Sequence, residues 1–132
     1  MVLKRIFLHY LPVCLWMTLI FYLSSQQKIS VSPTYVFNFI IFKFLHVTEY
    51  AILYFLWWWA ISNKKNAFHH QKYLWVGLFS LAFAISDEIH QTFVPTREGT
   101  VRDVCIDGIG ITIMYIVINQ STIRKQLRKI WI

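Results

Sequence analysis

Four apolar segments set the frame for this chain, each near the roughly 20 residues that an α-helix needs to cross a bilayer core of about 30 Å. They run approximately from Ile6 to Leu23, Val36 to Ile61, Leu74 to Val94 and Val101 to Asn119. The connectors SSQQKISVSPTY, SNKKNAFHHQKY and PTREGT are polar and turn-like, which leaves no room for a folded domain between the spans. At 132 residues the chain is a single domain. It is 57% hydrophobic and only 14% charged, where ordinary soluble domains run at about 45–50% and about 25%. Too little polar surface remains to coat a soluble particle. A disulfide scaffold, a disordered tail and a water-soluble enzyme are therefore excluded. The expected fold is all-α and integral to the membrane: a four-helix transmembrane bundle over 1–132, with a basic tail at 120–132.

The first segment follows Lys4 and Arg5, as a signal peptide would, but it is long for one. It closes on Leu23-Ser24-Ser25-Gln26, without a small-x-small cleavage site. An uncleaved first span is expected. Orientation follows from the retention of Lys and Arg on the cytoplasmic side. Lys4, Arg5, Lys64, Lys65, Lys72, Arg124, Lys125, Arg128 and Lys129 collect on one side, against Lys28, Arg97 and Arg102 on the other. Both termini are thus expected in the cytoplasm. Trp57, Trp58, Trp59, Tyr73 and Trp75 fit an aromatic belt at that inner surface. The net charge of +7 does not indicate a nucleic-acid partner, because the basic residues lie in connectors rather than along a stripe. Cys14 and Cys105 carry no metal or redox spacing and are expected as packing residues.

Six carboxylates fall between positions 49 and 107, most of them in or against the spans. A charge at a helix centre costs about 2.5–3.5 kcal/mol on insertion scales, so such residues face the bundle interior and pair. Lys43, Glu49, Asp87, Glu88 and Asp107 left alone would cost on the order of 10 kcal/mol. Helical spacing gathers them. Lys43, His46, Glu49 and Tyr50 ladder along span two; Asp87, Glu88, His90 and Gln91 share an arc of span three; Asp103, Asp107 and Gly110 stack on span four. Counting outward at 1.5 Å per residue from the Trp belt puts these stripes at matching depths, with Arg97 and Arg102 just outside. One pocket opening to the extracytoplasmic side is expected. On the alternative reading, in which the charges only fix helix register, Lys43 is expected to satisfy Glu49, and Arg97 or Arg102 to satisfy Asp87 or Asp103. Span one, whose polar side chains are His9 and Thr18, is expected to shield the bundle from lipid. His9, His69 and His70 are expected as ordinary surface or interface residues.

These blocks, Lys43-x-x-His46-x-x-Glu49-Tyr50, Ser86-Asp87-Glu88-x-His90-Gln91-x-Phe93-x-Pro95-x-Arg97 and Asp103-x-x-x-Asp107-x-x-Gly110, resemble the VanZ-like family of small bacterial membrane proteins. Phe21-Tyr22-Leu23-Ser24-Ser25-Gln26 is similar to the family as well, and the resemblance covers about positions 15 to 115. The glycine-rich continuation often seen after the position of Gly110 is replaced here by Ile111, Thr112 and Ile113. The resemblance implies a multi-pass protein of the bacterial plasma membrane. It also implies a link to the cell envelope, since the family's namesake is an accessory antibiotic-resistance protein that lowers susceptibility to teicoplanin. Lys43, His46, Glu49, Tyr50, Asp87, Glu88, Gln91, Arg97, Asp103 and Asp107 match its pattern.

Two uses of such a pocket fit the residues. One is binding of a membrane lipid or lipid-linked envelope intermediate, with Arg97 and Arg102 receiving a phosphate or carboxylate head group and Lys43, Tyr50, His90, Gln91, Asp103 and Asp107 lining the site. The other is general acid and base catalysis, for which His46, Glu49, Asp87 and Glu88 are the candidates. A small exporter fits less well, because its essential carboxylate would belong in the first span, which has none. No cofactor is expected, and no metal either: there is no HExxH or HxxxH spacing, and Lys43 would sit beside His46, Glu49, Glu88 and His90. A structural or partner-stabilising role is the remaining alternative.

Overall fold

The computed structural model describes residues 2–27, 30–31, 33–62 and 70–130. Lys28, Lys64, Lys65 and His69, counted above, lie outside the described residues, as do the side chains of Lys4, Arg5, Arg124 and Arg128. The described residues form five helices and no strand: α1 (Val2–Ser24), α2 (Tyr35–Ile61), α3 (His70–Gln91), α4 (Val101–Asn119) and α5 (Ser121–Ile130). Two of them, α1 over Phe7–Ser24 and α2 over Tyr35–Ile61, are long and apolar enough to cross a membrane.

The buried positions of α3 are Tyr73, Val76, Ser80, Ala84, Asp87, Glu88 and Gln91. All but Glu88 recur at three- and four-residue steps, the spacing of one helical face. In α4 the buried face is Asp103, Asp107, Gly110 and Ile118. Both faces are apolar toward one end of the bundle and polar toward the other. Trp58, Tyr54, Tyr73, Val76 and Ile118 pack at the apolar end; Val13, Ile20, Tyr50, Leu53 and Ala84 fill the middle. The polar end collects the N-terminal half of α2, the C-terminal end of α3 and the start of α4.

α2 and α4 approach closely where Gly110 passes α2. A Cβ there would overlap the Val47 carbonyl, so only glycine permits this crossing. The outer faces remain apolar: Phe7, Leu15, Phe44, Leu74, Leu78, Ile89 and Ile113 are exposed. Cys14 and Cys105, expected to pack inside, are exposed too.

Two boundaries differ from expectation. The third span was expected to reach Val94, but α3 stops at Gln91, and the next amides fold back in three-residue turns from Thr92 to Val94. Pro95 accounts for this, since a proline disfavours helical geometry in the residue before it. Thr96 follows with φ +68°, which reverses the chain toward α4. The second difference is the tail, where Ser121–Ile130 forms α5. Its Leu127 packs against the apolar end, and Lys125 and Lys129 are exposed.

Candidate functional site

α2 and α4 are joined by two polar contacts about one helical turn apart. Lys43 Nζ lies 2.6 Å from Asp103 Oδ1, and His46 Nδ1 lies 2.9 Å from Asp107 Oδ1. The expected pairing of Lys43 with Glu49 does not form. Six residues of helix rotate the side chain by about 600°, leaving the two roughly 120° apart around α2, and Lys43 reaches across to α4 instead. Arg102, largely exposed, adds a longer contact of 3.5 Å to the same Asp103 oxygen. Lys43 and Arg102 each stand 5.4 Å from the Phe39 ring centroid.

The carboxylates of α3 are held by neutral donors. Asp87 Oδ1 accepts from Ser24 Oγ at 2.6 Å, and Gln91 Nε2 donates to Asp87 Oδ2 at 3.0 Å and to Glu88 Oε1 at 3.2 Å. Glu88 Oε2 accepts from the Thr100 amide at 2.9 Å. Thr100 is also the N-cap of α4, its hydroxyl accepting from the Asp103 amide at 3.2 Å, so one residue ties the start of α4 to the end of α3. Gly99 makes this possible, because a Cβ there would overlap the Glu88 carbonyl.

The role expected for α1 needs correction. Besides shielding the bundle, it supplies Ser24 to Asp87, and Ser25 Oγ lies 2.9 Å from His90 Nε2. His90 stacks on Phe21 with ring centroids 4.1 Å apart, which turns it toward α1. Trp16 Nε1 donates to the Glu49 carbonyl at 3.0 Å. Arg97 donates from Nε to the Gln26 carbonyl (2.9 Å) and from Nη2 to the Leu23 carbonyl (3.0 Å). It thereby caps the C-terminus of α1, where a cation is favoured, rather than pairing with Asp87. Ser24 and Ser25 were not singled out as site residues. Their signal was a pair of hydroxyls closing an apolar run.

A cavity of 570 Å³ opens between α2, α4 and the 92–100 turn. Lys43, His46, Gln91, Arg97, Arg102 and Asp103 line it, together with Asn38, Glu98 and Thr100 and the rings of Tyr35, Phe39 and Phe42. Asp87, Glu88 and Asp107 are buried, with 3%, 4% and 0% exposure, and bond to two lining residues, Asp87 and Glu88 to Gln91 and Asp107 to His46. Glu49 is half-buried, within the electrostatic reach of His46, Asp87 and Asp107. Tyr50 is fully buried, and its hydroxyl has no hydrogen-bond partner among the described residues. Of the expected site residues the structure thus gathers ten around one end of the bundle, sets Tyr50 deeper and turns His90 outward to α1.

Lys43, named in the sequence as a poor neighbour for a metal, is occupied by Asp103. A ligand atom from each of His46, Glu88 and Asp107 lies within 4.8 Å of the others.

Known proteins supply the last observation. The family model described as VanZ/LLP1 matches residues 7–124. The chain belongs to the VanZ/LLP1 family. The match spans α1 to α4 and enters α5, so every residue of the polar end lies inside it. No curated protein and no solved structure matches the chain. VanZ proteins are membrane-associated, in keeping with the two helices long and apolar enough to cross a bilayer.

Proposed function

We propose that this VanZ protein is a four-span bundle of the bacterial plasma membrane with both termini cytoplasmic, and that its polar end is an outward-facing pocket for a cell-envelope amphiphile. α1 to α4 are the spans. α3 and α4 carry more charge than α1 and α2, but Asp87, Glu88, Asp103 and Asp107 are turned inward and buried, while Leu74, Leu78, Ile89, Ile109, Ile113 and Ile116 are exposed. Polar inside and apolar outside suits a lipid surround.

The observation that carries the reading is the lining of the cavity. Tyr35, Phe39 and Phe42 line it side by side with cationic and hydrogen-bonding side chains. An amphiphile needs both. Among the described residues Arg102 makes a long contact with Asp103 and stands over the Phe39 ring, and beside Lys43 it offers a cationic corner for a phosphate or carboxylate head group. A lipid-linked wall precursor or a lipoglycopeptide such as teicoplanin has that chemistry. The test is native mass spectrometry of the detergent-purified protein, combined with the teicoplanin tolerance of cells producing it. A co-purifying anionic amphiphile, displaced in Arg102→Gln, is expected. Delipidated protein that binds no anionic lipid or lipoglycopeptide would overturn the reading.

A structural reading has its own observation in favour, since Lys43–Asp103 and His46–Asp107 both staple α2 to α4. The two readings part on abundance. A purely structural cluster makes phenotype follow protein level, whereas a working pocket loses phenotype in Arg102→Gln at unchanged level.

A further inference from the structure

Four carboxylates at the polar end, Glu49, Asp87, Glu88 and Asp107, have no lysine or arginine within ion-pair distance among the described residues; His46 alone reaches one of them, Asp107. Lys43 and Arg102 both go to Asp103. Buried carboxylates must be neutralised by protons or by a cation. Two observations select a cation at one point of this group. His46, Glu88 and Asp107 converge from three different helices, a ligand atom of each within 4.8 Å of the others. Ligands of a tetrahedral ion bound at about 2.1 Å stand about 3.4 Å apart, so side-chain adjustment within the 4.8 Å span of these atoms closes the set. Independently, Asp107 Oδ2 has no hydrogen-bond partner among the described residues, although the side chain is only 1% exposed and its other oxygen already meets His46. Leaving such an acceptor bare is costly, and a cation at that point would satisfy it.

We infer that His46, Glu88 and Asp107 form a binding site for a divalent first-row transition ion. One imidazole nitrogen and two carboxylates, without thiolate, suit zinc or manganese. The supporting groups have the form that metal sites use. Gln91 and the Thr100 amide hold the two oxygens of Glu88, fixing its carboxylate plane while each oxygen keeps a lone pair. Access is through the cavity, since His46 and Gln91 line it. An ion there would bind α2, α3 and α4 together at the cavity floor and would leave an open coordination position toward the cavity. The site stands on these three side chains and not on the amphiphile proposed above.

The test uses the full chain, purified in detergent, stripped with chelator and titrated with Zn²⁺ by calorimetry, with Co²⁺ as a spectroscopic reporter. One equivalent of Zn²⁺ is expected, with a rise in thermal midpoint that grows with ion concentration and a visible Co²⁺ band carrying histidine ligation. Asp107→Asn and Glu88→Gln keep the shape of the side chain. Each should weaken binding by more than the roughly 10- to 100-fold that loss of an outer partner costs. Should Asp107→Asn not accumulate, Glu88→Gln carries the comparison. His70→Gln, an exposed histidine elsewhere on α3, should bind as the parent does. Stripped protein that takes up no Zn²⁺, or variants that take it up as tightly as the parent, would overturn the site. Lipid is absent from every one of these readouts, so their failure leaves the amphiphile reading standing, and the reverse holds as well.

Discussion

Lys43 has carboxylates within reach both along its own helix and across the bundle, and helix rotation decides between them. Its contact with Asp103 is mostly removed from solvent, at 18% and 10% side-chain exposure. Breaking one side of it strands the other. Lys43→Met should therefore lower stability by about 1–3 kcal/mol, the penalty of an unsatisfied buried group. The double variant Lys43→Met with Asp103→Leu should recover most of that loss, because well-packed apolar side chains can equal a buried ion pair. Thermal unfolding of the two single variants and the double variant in one detergent checks this, and additive losses would mean that the contact is not formed. Ser24→Ala should behave differently. It deletes the donor to Asp87 Oδ1 but leaves Gln91 on the other oxygen, so the expected loss is near the low end of the same range. The partner of Lys43 was not legible in the sequence, because the choice depends on how α4 is rotated against α2, which no spacing within α2 encodes. That Asp87 must be satisfied was legible. That a serine of the first span does it was not, since a hydroxyl at a helix end is equally at home bonding its own backbone, as Ser24 also does to Phe21.

At the scale of elements, the apolar runs marked four of the five helices because a chain so poor in polar residues leaves few other places for its backbone. Their polar stripes were legible for the same reason that they are buried: charge at three- and four-residue spacing within an apolar run has one inward direction. The end of α3 depended on Pro95, a signal that was present and outweighed by the apolar Phe93 and Val94. α5 is too short and too charged to register as a span, and its folding rests on Leu127 finding the apolar end. The α2–α4 crossing tests this picture. Gly110 and Gly108 are two residues apart on α4, yet one faces Val47 and the other meets nothing within 4 Å. Gly110→Val should push the helices apart at a cost of about 1–3 kcal/mol or more and loosen both the Lys43–Asp103 and His46–Asp107 contacts. Gly108→Ala should be neutral or stabilising by up to about 1 kcal/mol, as alanine favours helix. Folded yield and thermal midpoint measured side by side decide it. Equal effects at the two positions would remove the close crossing from the account.

For the whole molecule, the decisive property is that one end of the bundle is apolar inside and the other polar inside, while large apolar side chains are exposed on the outer faces of α1 to α4. A membrane turns that asymmetry into direction. Trp58, Tyr73 and α5 meet at the apolar end, and in the sequence most Lys and Arg fall in the segments that adjoin it, so retention of positive charge would place this end in the cytoplasm and the cavity outside. Lys72, which donates to the Ile61 carbonyl at 2.5 Å, and the exposed Lys125 and Lys129 belong to that end. Reporter fusions after Gln26, Asn66, Gly99 and the C-terminus should accordingly read outside, inside, outside and inside. Reducing the charge bias by replacing Lys64, Lys65 and Lys72 with Gln should weaken the inside reading after Asn66 before it affects the C-terminus, where four further basic residues remain. An extracytoplasmic C-terminus in the parent chain would turn the cavity toward the cytoplasm. His46, Lys43 and Asp103 would then face cytoplasmic ligands, and a cell-envelope amphiphile on the outer side could no longer be the occupant.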